Sequence, residues 1–295
     1  MSFIDTYRDR FGVEPICHVL QVAPSTYYAR KRRPPSARAV ADEQLKVEIA
    51  RVYKANFEVY GAEKIWRQLA REGIRVGRDR VARLMRQLGI RGVVRGAKRR
   101  TTTPADAADR PADLVGRDFS APAPNRLWVA DLTYVATWAG FCYAAFIIDA
   151  YSRLIVGWRV ATTLRASLAL DALEMAIWAR QDAGLDALVH HSDRGVQYLS
   201  VRYTQRLADE GAVTSVGSKG DSYDNALAEA VNGLYKAELI GQRGPWRTAT
   251  QVELATLEWV QWWNQRRLHG ALDHTPPAEY EARYYRGHEQ SKEVV

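Results

Sequence analysis

Cysteine is nearly missing from this 295-residue chain, with Cys17 and Cys142 the only two. They stand in no CxxC or histidine-rich spacing, which excludes a zinc quartet and makes a reducing, cytoplasmic compartment the simple expectation. No run of ~18 apolar residues is there to span a bilayer. The opening MSFIDTYRDR lacks the apolar core of a secretory signal. Sustained heptads are absent too. Acidic residues are scarce in one part only: residues 1–100 hold 23 Lys/Arg against 10 Asp/Glu, whereas residues 101–295 hold 19 against 24. A basic front joined to a mildly acidic rear implies a polyanion-binding module, with nucleic acid the obvious polyanion, attached to a part with carboxylates to spare. A membrane-surface role fits poorly, because the basic helical stretches carry no continuous Trp/Phe/Leu face. A hydrophobic fraction of 47% excludes wholesale disorder, and the length divides into two or three domains.

Residues 1–36 read as an N-terminal helix pair, FGVEPICHVL and PSTYYARKRR, broken at Gln21 to Pro24, with Ser25 and Thr26 as the cap region of the second helix. The basic end resembles the recognition half of a helix-turn-helix, and a solvated basic terminus before Pro34 to Ser36 fits equally well. Residues 37–98 keep a helical period through DEQLKVEIARVYKANF, YGAEKIWRQLAREG and GRDRVARLMRQLG. Ile65, Trp66 and Leu69, then Val81, Leu84, Met85 and Leu88, form apolar faces, with Gly73 and Gly89 as stops. The short GIRVG turn suits a helix-turn-helix-like DNA-binding domain. Arg80, Arg83 and Gln87 share one helix face, with Arg86 close by; these side chains bond guanine and adenine edges, although any soluble helix displays such a face. Residues 99–124, rich in Pro, Ala and Thr, read as a linker.

Residues 125–240 change texture. LWVADLTYVATW, FCYAAFIIDA and RLIVGWRVA are strand-like runs whose short connections demand antiparallel hairpins. A helix over Ser167 to Ala183, a strand ALVHH, a helix over Val201 to Glu210, a strand AVTSV and a last helix follow. The order βββαβαβα predicts an α/β fold, the ribonuclease H-like mixed sheet with helices, preceded by the helix-turn-helix-like part. In that layout the first and fourth strands are neighbours, so Asp131 and Asp193 face each other while the last helix lays Glu229 across them. On that helix Asn225, Glu229, Asn232 and Lys236 recur at helical spacing, opposite Leu227, Val231 and Leu234. Three carboxylates suit magnesium or manganese, and a pair of ions ~4 Å apart handles in-line displacement at phosphorus. Lys236 is placed to hold a DNA phosphate; Asn225, Asn232 and Arg194 are further candidates for DNA contact. Asp149 is expected in a turn, Asp221 and Asp224 at the start of the last helix, and His190 and His191 buried behind the metal site. Residues 241–295 read as a helical extension packed on the core, with Leu254, Trp259, Trp262 and Trp263 in its seam.

Together WVADLTYV, HSDRGVQY and SYDNALAEAVNGLYKAEL resemble the second-frame transposase proteins of bacterial insertion sequences, in the superfamily of DDE transposases and retroviral integrases. YGAEKIWRQLAREG and WWNQRRLHGALDHTPP extend the resemblance over nearly the whole chain. The resemblance implies a catalytic and metal-binding triad of Asp131, Asp193 and Glu229, two Mg2+ or Mn2+ ions per active site, and Lys236 at the transferred DNA end. It implies cleavage at terminal inverted repeats and 3′-hydroxyl strand transfer into target DNA, by a homo-oligomer on DNA in the bacterial cytoplasm, associated with the nucleoid. A first-frame helix-turn-helix protein, or a fusion to it, is an expected partner. Unlike retroviral integrases, the front of the chain has no His/Cys zinc module. Two rivals stay open: a structure-selective nuclease on the same fold, and a non-catalytic DNA-binding regulator resting on residues 42–92.

Overall fold

The computed structural model describes residues 1–94, 120–185, 187–193, 197–216 and 225–293. The expected linker therefore falls almost wholly outside the described residues, as do Arg194, Asp221 and Asp224. The chain forms two compact units, Met1–Ala50 and Arg51–Val295.

The first unit starts with α1 (Ser2–Phe11), α2 (Val13–Val19) and α3 (Pro24–Arg32). Ile4, Ile16, Cys17 and Tyr27 form its core, and the Tyr27 hydroxyl donates to Asp5 at 2.8 Å. Three helices stand where a pair was expected. Gly12 takes φ 74°, a conformation open to glycine, and turns the chain between α1 and α2. The third begins on Pro24, with Ala23 as its cap, ahead of the expected Ser25 and Thr26, because proline's fixed φ suits the first helical position.

The boundary between units falls inside α4 (Ala37–Ala55), so α5 (Ala62–Arg71) and α6 (Arg78–Gln87) share a unit with everything after them. Ile65, Leu69, Val81, Leu84 and Met85 are buried as read from the sequence, and Trp66 Nε1 donates to the Val76 carbonyl at 2.8 Å, fixing the turn between the two helices. Leu88, at the end of α6, is 37% exposed. The reason for the shared unit lies in contacts to the far end of the chain. Trp262 Nε1 donates to Asn56 Oδ1 at 3.0 Å, and the Leu268 N–H donates to the Tyr60 hydroxyl at 2.7 Å.

The sheet comprises β1 (Leu127–Thr137), β2 (Gly140–Asp149), β3 (Ile155–Ala161), β4 (Val189–Ser192) and β5 (Val213–Val216), in the order β3-β2-β1-β4-β5. The first three are antiparallel, as their short connections demand, and β4 joins β1 in parallel. At the β2–β3 turn, Asp149 accepts the N–H groups of Asn125, Tyr151 and Ser152 at 2.7, 2.8 and 3.1 Å. On one face Trp128, Ala130, Ile147 and Val156 pack with Leu168, Ala172, Leu173 and Ala176 of α7 (Ala166–Ala179), which ends before a separate 3-10 turn, Gln181–Ala183. α8 (Val201–Asp209) contributes Tyr203 and Leu207 to the same core. On the other face lie α9 (Ala226–Tyr235), a wide π turn over Lys236–Ile240, a single turn α10 (Gly241–Arg243) and α11 (Ala249–Gln265). Phe146 packs there against Tyr235 and Trp259, at centroid distances of 5.0 and 6.0 Å. Trp259, Trp262 and Trp263 are buried as expected, whereas Leu254 is 60% exposed, because α11 buries the line Val252, Ala255, Thr256 and Trp259 instead. α12 (Pro277–Glu293) closes the chain.

Candidate active site

The parallel ladder between β1 and β4 pairs Leu127 with Val189 and ends on Ala130 with Ser192. Asp131 and Asp193 are the next residue on each strand. The ladder stops one residue before both aspartates, and they lie near enough for Asp193 to raise the Asp131 pKa. β4 stops here after four residues, and among the described residues β1 has no strand partner on this side from Asp131 onward.

α9 covers the spot where the ladder ends. Asn225 Nδ2 donates to the Ala130 carbonyl at 3.0 Å, and Asn232 Nδ2, two turns later, donates to Asp131 Oδ2 at 2.9 Å. Both asparagines are buried, each 7% exposed. The face of α9 that meets the sheet is therefore Asn225, Ala228, Asn232 and Tyr235, with Val231 beside it. Leu227 and Leu234, expected in the core stripe, are only partly buried. Asn225 and Asn232 turn inward, where their Nδ2 groups bond the Ala130 carbonyl and Asp131, which offsets part of the cost of burying two amides whose Oδ1 atoms have no partner among the described residues.

Asp131 accepts two hydrogen bonds, from Asn232 and from the Leu132 N–H at 2.8 Å. Its carboxyl is nevertheless pushed up to about 7. Burial is the largest cause, repulsion from Asp193 the next, and Glu229, one turn into α9, adds to it against the pull of the two hydrogen bonds. Asp193 and Glu229 both act on Asp131. Among the described residues no three His, Cys, Asp or Glu side chains are gathered closely enough, as they stand, to hold a metal ion. The donor chemistry nevertheless suits one: carboxylate oxygens, with more negative charge than the pocket can easily carry, are what a hard divalent cation takes.

Lys236 opens the π turn and is exposed, with its Nζ 4.5 Å from the centroid of the Tyr134 ring. Desolvation lowers its pKa, and attraction to Asp131 works in the other direction. Behind the aspartates both histidines are buried, His190 Nε2 against the Tyr203 hydroxyl and His191 Nδ1 against Ser215 Oγ, each at 2.9 Å. On α6, Arg86 and Gln87 are exposed while Arg80 and Arg83 are partly buried.

The integrase core domain model matches residues 121–222 and a second model of that description matches 210–277; an HTH-like domain model matches 40–98. The insertion sequence IS986/IS6110 protein of Mycobacterium tuberculosis is 57% identical over 269 residues, 90% of this chain and 97% of that one. The transposase for insertion sequence element IS629 of Shigella sonnei is 54% identical over 97% of this chain and 96% of its own. The chain belongs to the insertion-sequence transposases. Its integrase core is that of a polynucleotidyl transferase acting on DNA. Among solved structures, the HTLV-2 integrase catalytic core domain in complex with magnesium, in its trimeric form, aligns with 54% of this chain and 98% of its own at 16% identity and a TM-score of 0.43. Among the described residues no helix is long and apolar enough to cross a membrane.

Sequence reasoning missed two features of this transposase core. Tyr198 is buried close to both aspartates, and burial, Tyr203 and the two acids together raise its pKa well above the usual range. Its place in HSDRGVQY, five residues after Asp193, was the available signal. The second is the ion pair between Arg267 and Glu238, 2.9 Å for Nε to Oε2 and 2.5 Å for Nη2 to Oε1, which ties the π turn after α9 to the chain beyond α11. Nothing local in the sequence marks that pairing.

Proposed function

We propose that this chain transposes DNA through a reacting centre made of Asp131, Asp193 and Glu229, cutting at the ends of its element and joining the freed 3′-hydroxyl to a target. The observation that carries the reading is the ladder ending on Ala130 and Ser192, with an aspartate next on each strand and Glu229 felt by the first. Mg2+ or Mn2+ held by these three acids would stabilise the charge on the attacking and leaving oxygens at phosphorus. The rest falls to the chain itself. Asn232 and the Leu132 N–H hold both oxygens of Asp131 in place before any ligand arrives. Lys236 stands at the mouth, within the field of Asp131, where a phosphate oxygen needs a cation. Arg86 and Gln87 face outward from α6 for the duplex, with Arg80 and Arg83 on the same helix. Asn225 and Asn232 serve DNA indirectly, by fixing α9 on β1. The working form is a homo-oligomer bridging two element ends in the bacterial nucleoid.

The test is strand transfer with labelled element ends and a target plasmid in Mg2+ or Mn2+. Asp131→Asn, Asp193→Asn and Glu229→Gln should each abolish joined product while leaving binding of the ends within about twofold. Cleavage by the unaltered chain with no joined product would leave a nuclease. Survival of activity in any of the three variants would remove the triad.

A further inference from the structure

Three large aromatic side chains stand out from the β1–β2 hairpin into solvent: Tyr134 is 59% exposed, Trp138 69% and Phe141 58%. Tyr134 and Phe141 meet edge to face, with centroids 5.7 Å apart. Two cations lie over this group, Lys236 Nζ 4.5 Å from the Tyr134 ring and the Arg247 guanidinium 5.4 Å from Trp138. The hairpin tip is firmly held. The Trp138 and Ala139 N–H groups donate to the carbonyls of Trp246 and Arg247 at 2.9 and 3.2 Å, and Thr137 Oγ1 donates to the Gly140 carbonyl at 2.6 Å.

We propose that Tyr134, Trp138 and Phe141, with Lys236 and Arg247, form a stacking platform for unpaired nucleobases of the DNA strand next to the scissile phosphate. Every base has a π face, and an exposed ring offers it area that water solvates poorly; cations beside the rings draw the phosphates that link the bases. Position favours nucleic acid as the occupant. Tyr134 lies three residues along β1 from Asp131, roughly 10 Å at ~3.3 Å per residue. The two point to opposite faces of the strand, and among the described residues β1 has no strand partner on this side beyond Ala130, where a DNA strand rounding the edge would pass from one to the other. Lys236 stands at that crossing, within the field of Asp131 and over the Tyr134 ring. A rigid tip means that little order has to be created when bases arrive.

This inference rests on the function proposed above, and its test needs no chemistry. In EDTA, fluorescence anisotropy compares a labelled element-end duplex carrying a five-base unpaired tail with the same duplex blunt. The unaltered chain should bind the tailed form more tightly. Trp138→Ala with Phe141→Ala should weaken tailed binding by about tenfold or more and blunt binding by less than about twofold, while Trp138→Tyr with Phe141→Tyr should keep most of the preference. Equal losses on both DNAs, or no loss on either, would overturn the platform. So would a switch from dimer to monomer by light scattering with the tail preference intact, since the patch would then seat a second copy of the chain. A melting temperature unchanged by the double substitution shows that the fold is intact. A tail preference in a chain that cannot join DNA would sink the transferase and spare the platform; joining without a tail preference would do the reverse.

Discussion

Asn232 and Asp131, 101 residues apart, are joined by a 2.9 Å hydrogen bond that leaves the asparagine amide buried and one carboxylate oxygen fixed. The bond favours the ionised form of an acid that its surroundings push toward neutrality. On the function proposed above, Asn232→Ala should lower strand transfer by about 10- to 100-fold, the usual effect of losing a group that orients a metal ligand. Asn232→Asp, which adds a fourth negative charge, should lower it further. Rates measured across a magnesium titration check both: the alanine variant should need more metal for half-maximal activity, and an unchanged midpoint would remove the positioning role.

A buried ion pair holds the π turn to the end of the chain. Arg267 and Glu238 have side chains only 5% and 7% exposed, and the guanidinium lies 4.5 Å from the Trp263 ring. Arg267→Ala strips Glu238 of its two-pronged hydrogen-bonded partner, and should cost about 3–5 kcal/mol of stability. Arg267→Met combined with Glu238→Leu should cost much less than either substitution singly. Urea denaturation followed by circular dichroism measures all of them.

Lys64 lies beside this pair, its Nζ 5.2 Å from the Tyr60 ring. Burial first, and then repulsion from Arg267, lower its pKa to about 7, against the pull of Glu238. Between about pH 7 and the unfolded value near 10.5, the unfolded chain holds a proton that the folded chain has lost. Stability from this group thus rises with pH across that window, by at most roughly 1.4 kcal/mol per pH unit. Lys64→Met should flatten the rise. Denaturation midpoints at pH 7, 8 and 9 decide it, and parallel slopes for the two proteins would contradict the assignment.

Gly157, in β3, faces α7 at a separation that leaves no room for a side chain. A Cβ there would overlap the Ala172 carbonyl and approach Ala176 Cβ to 2.9 Å. Gly157→Ala should push α7 off the sheet and cost about 3 kcal/mol or more, at the upper end of overpacking penalties, since the obstacle is backbone. Thermal unfolding reads the loss, and a melting temperature within a degree of the original would show that the helix yields cheaply.

Much of the core was legible because its signals are local. Alternation and tight turns marked β1, β2 and β3, and the Trp spacing in α11 marked its buried face. Side chains were read less well than backbones. Asn225 and Asn232 look solvent-facing by period, yet they turn inward because the Ala130 carbonyl and the Asp131 carboxylate offer them partners that the helix sequence does not reveal. Leu254 looks buried by type, but α11 has more apolar positions than the sheet can cover. Gly12 divides a helix that the pattern alone would run on.

The sequence by itself determined the strand order's beginning, the basic face of α6, and which three acids to watch, because propensity, period and charge are written residue by residue. Only the tertiary structure decided that the ladder between β1 and β4 stops one residue short of both aspartates. The same is true of the fixing of α9 by two amides and of the docking of Asn56 on Trp262 of α11 and of Tyr60 on Leu268 just beyond it. Those outcomes depend on register and on contacts across 95 to 208 residues, and no local pattern specifies a partner so far along the chain.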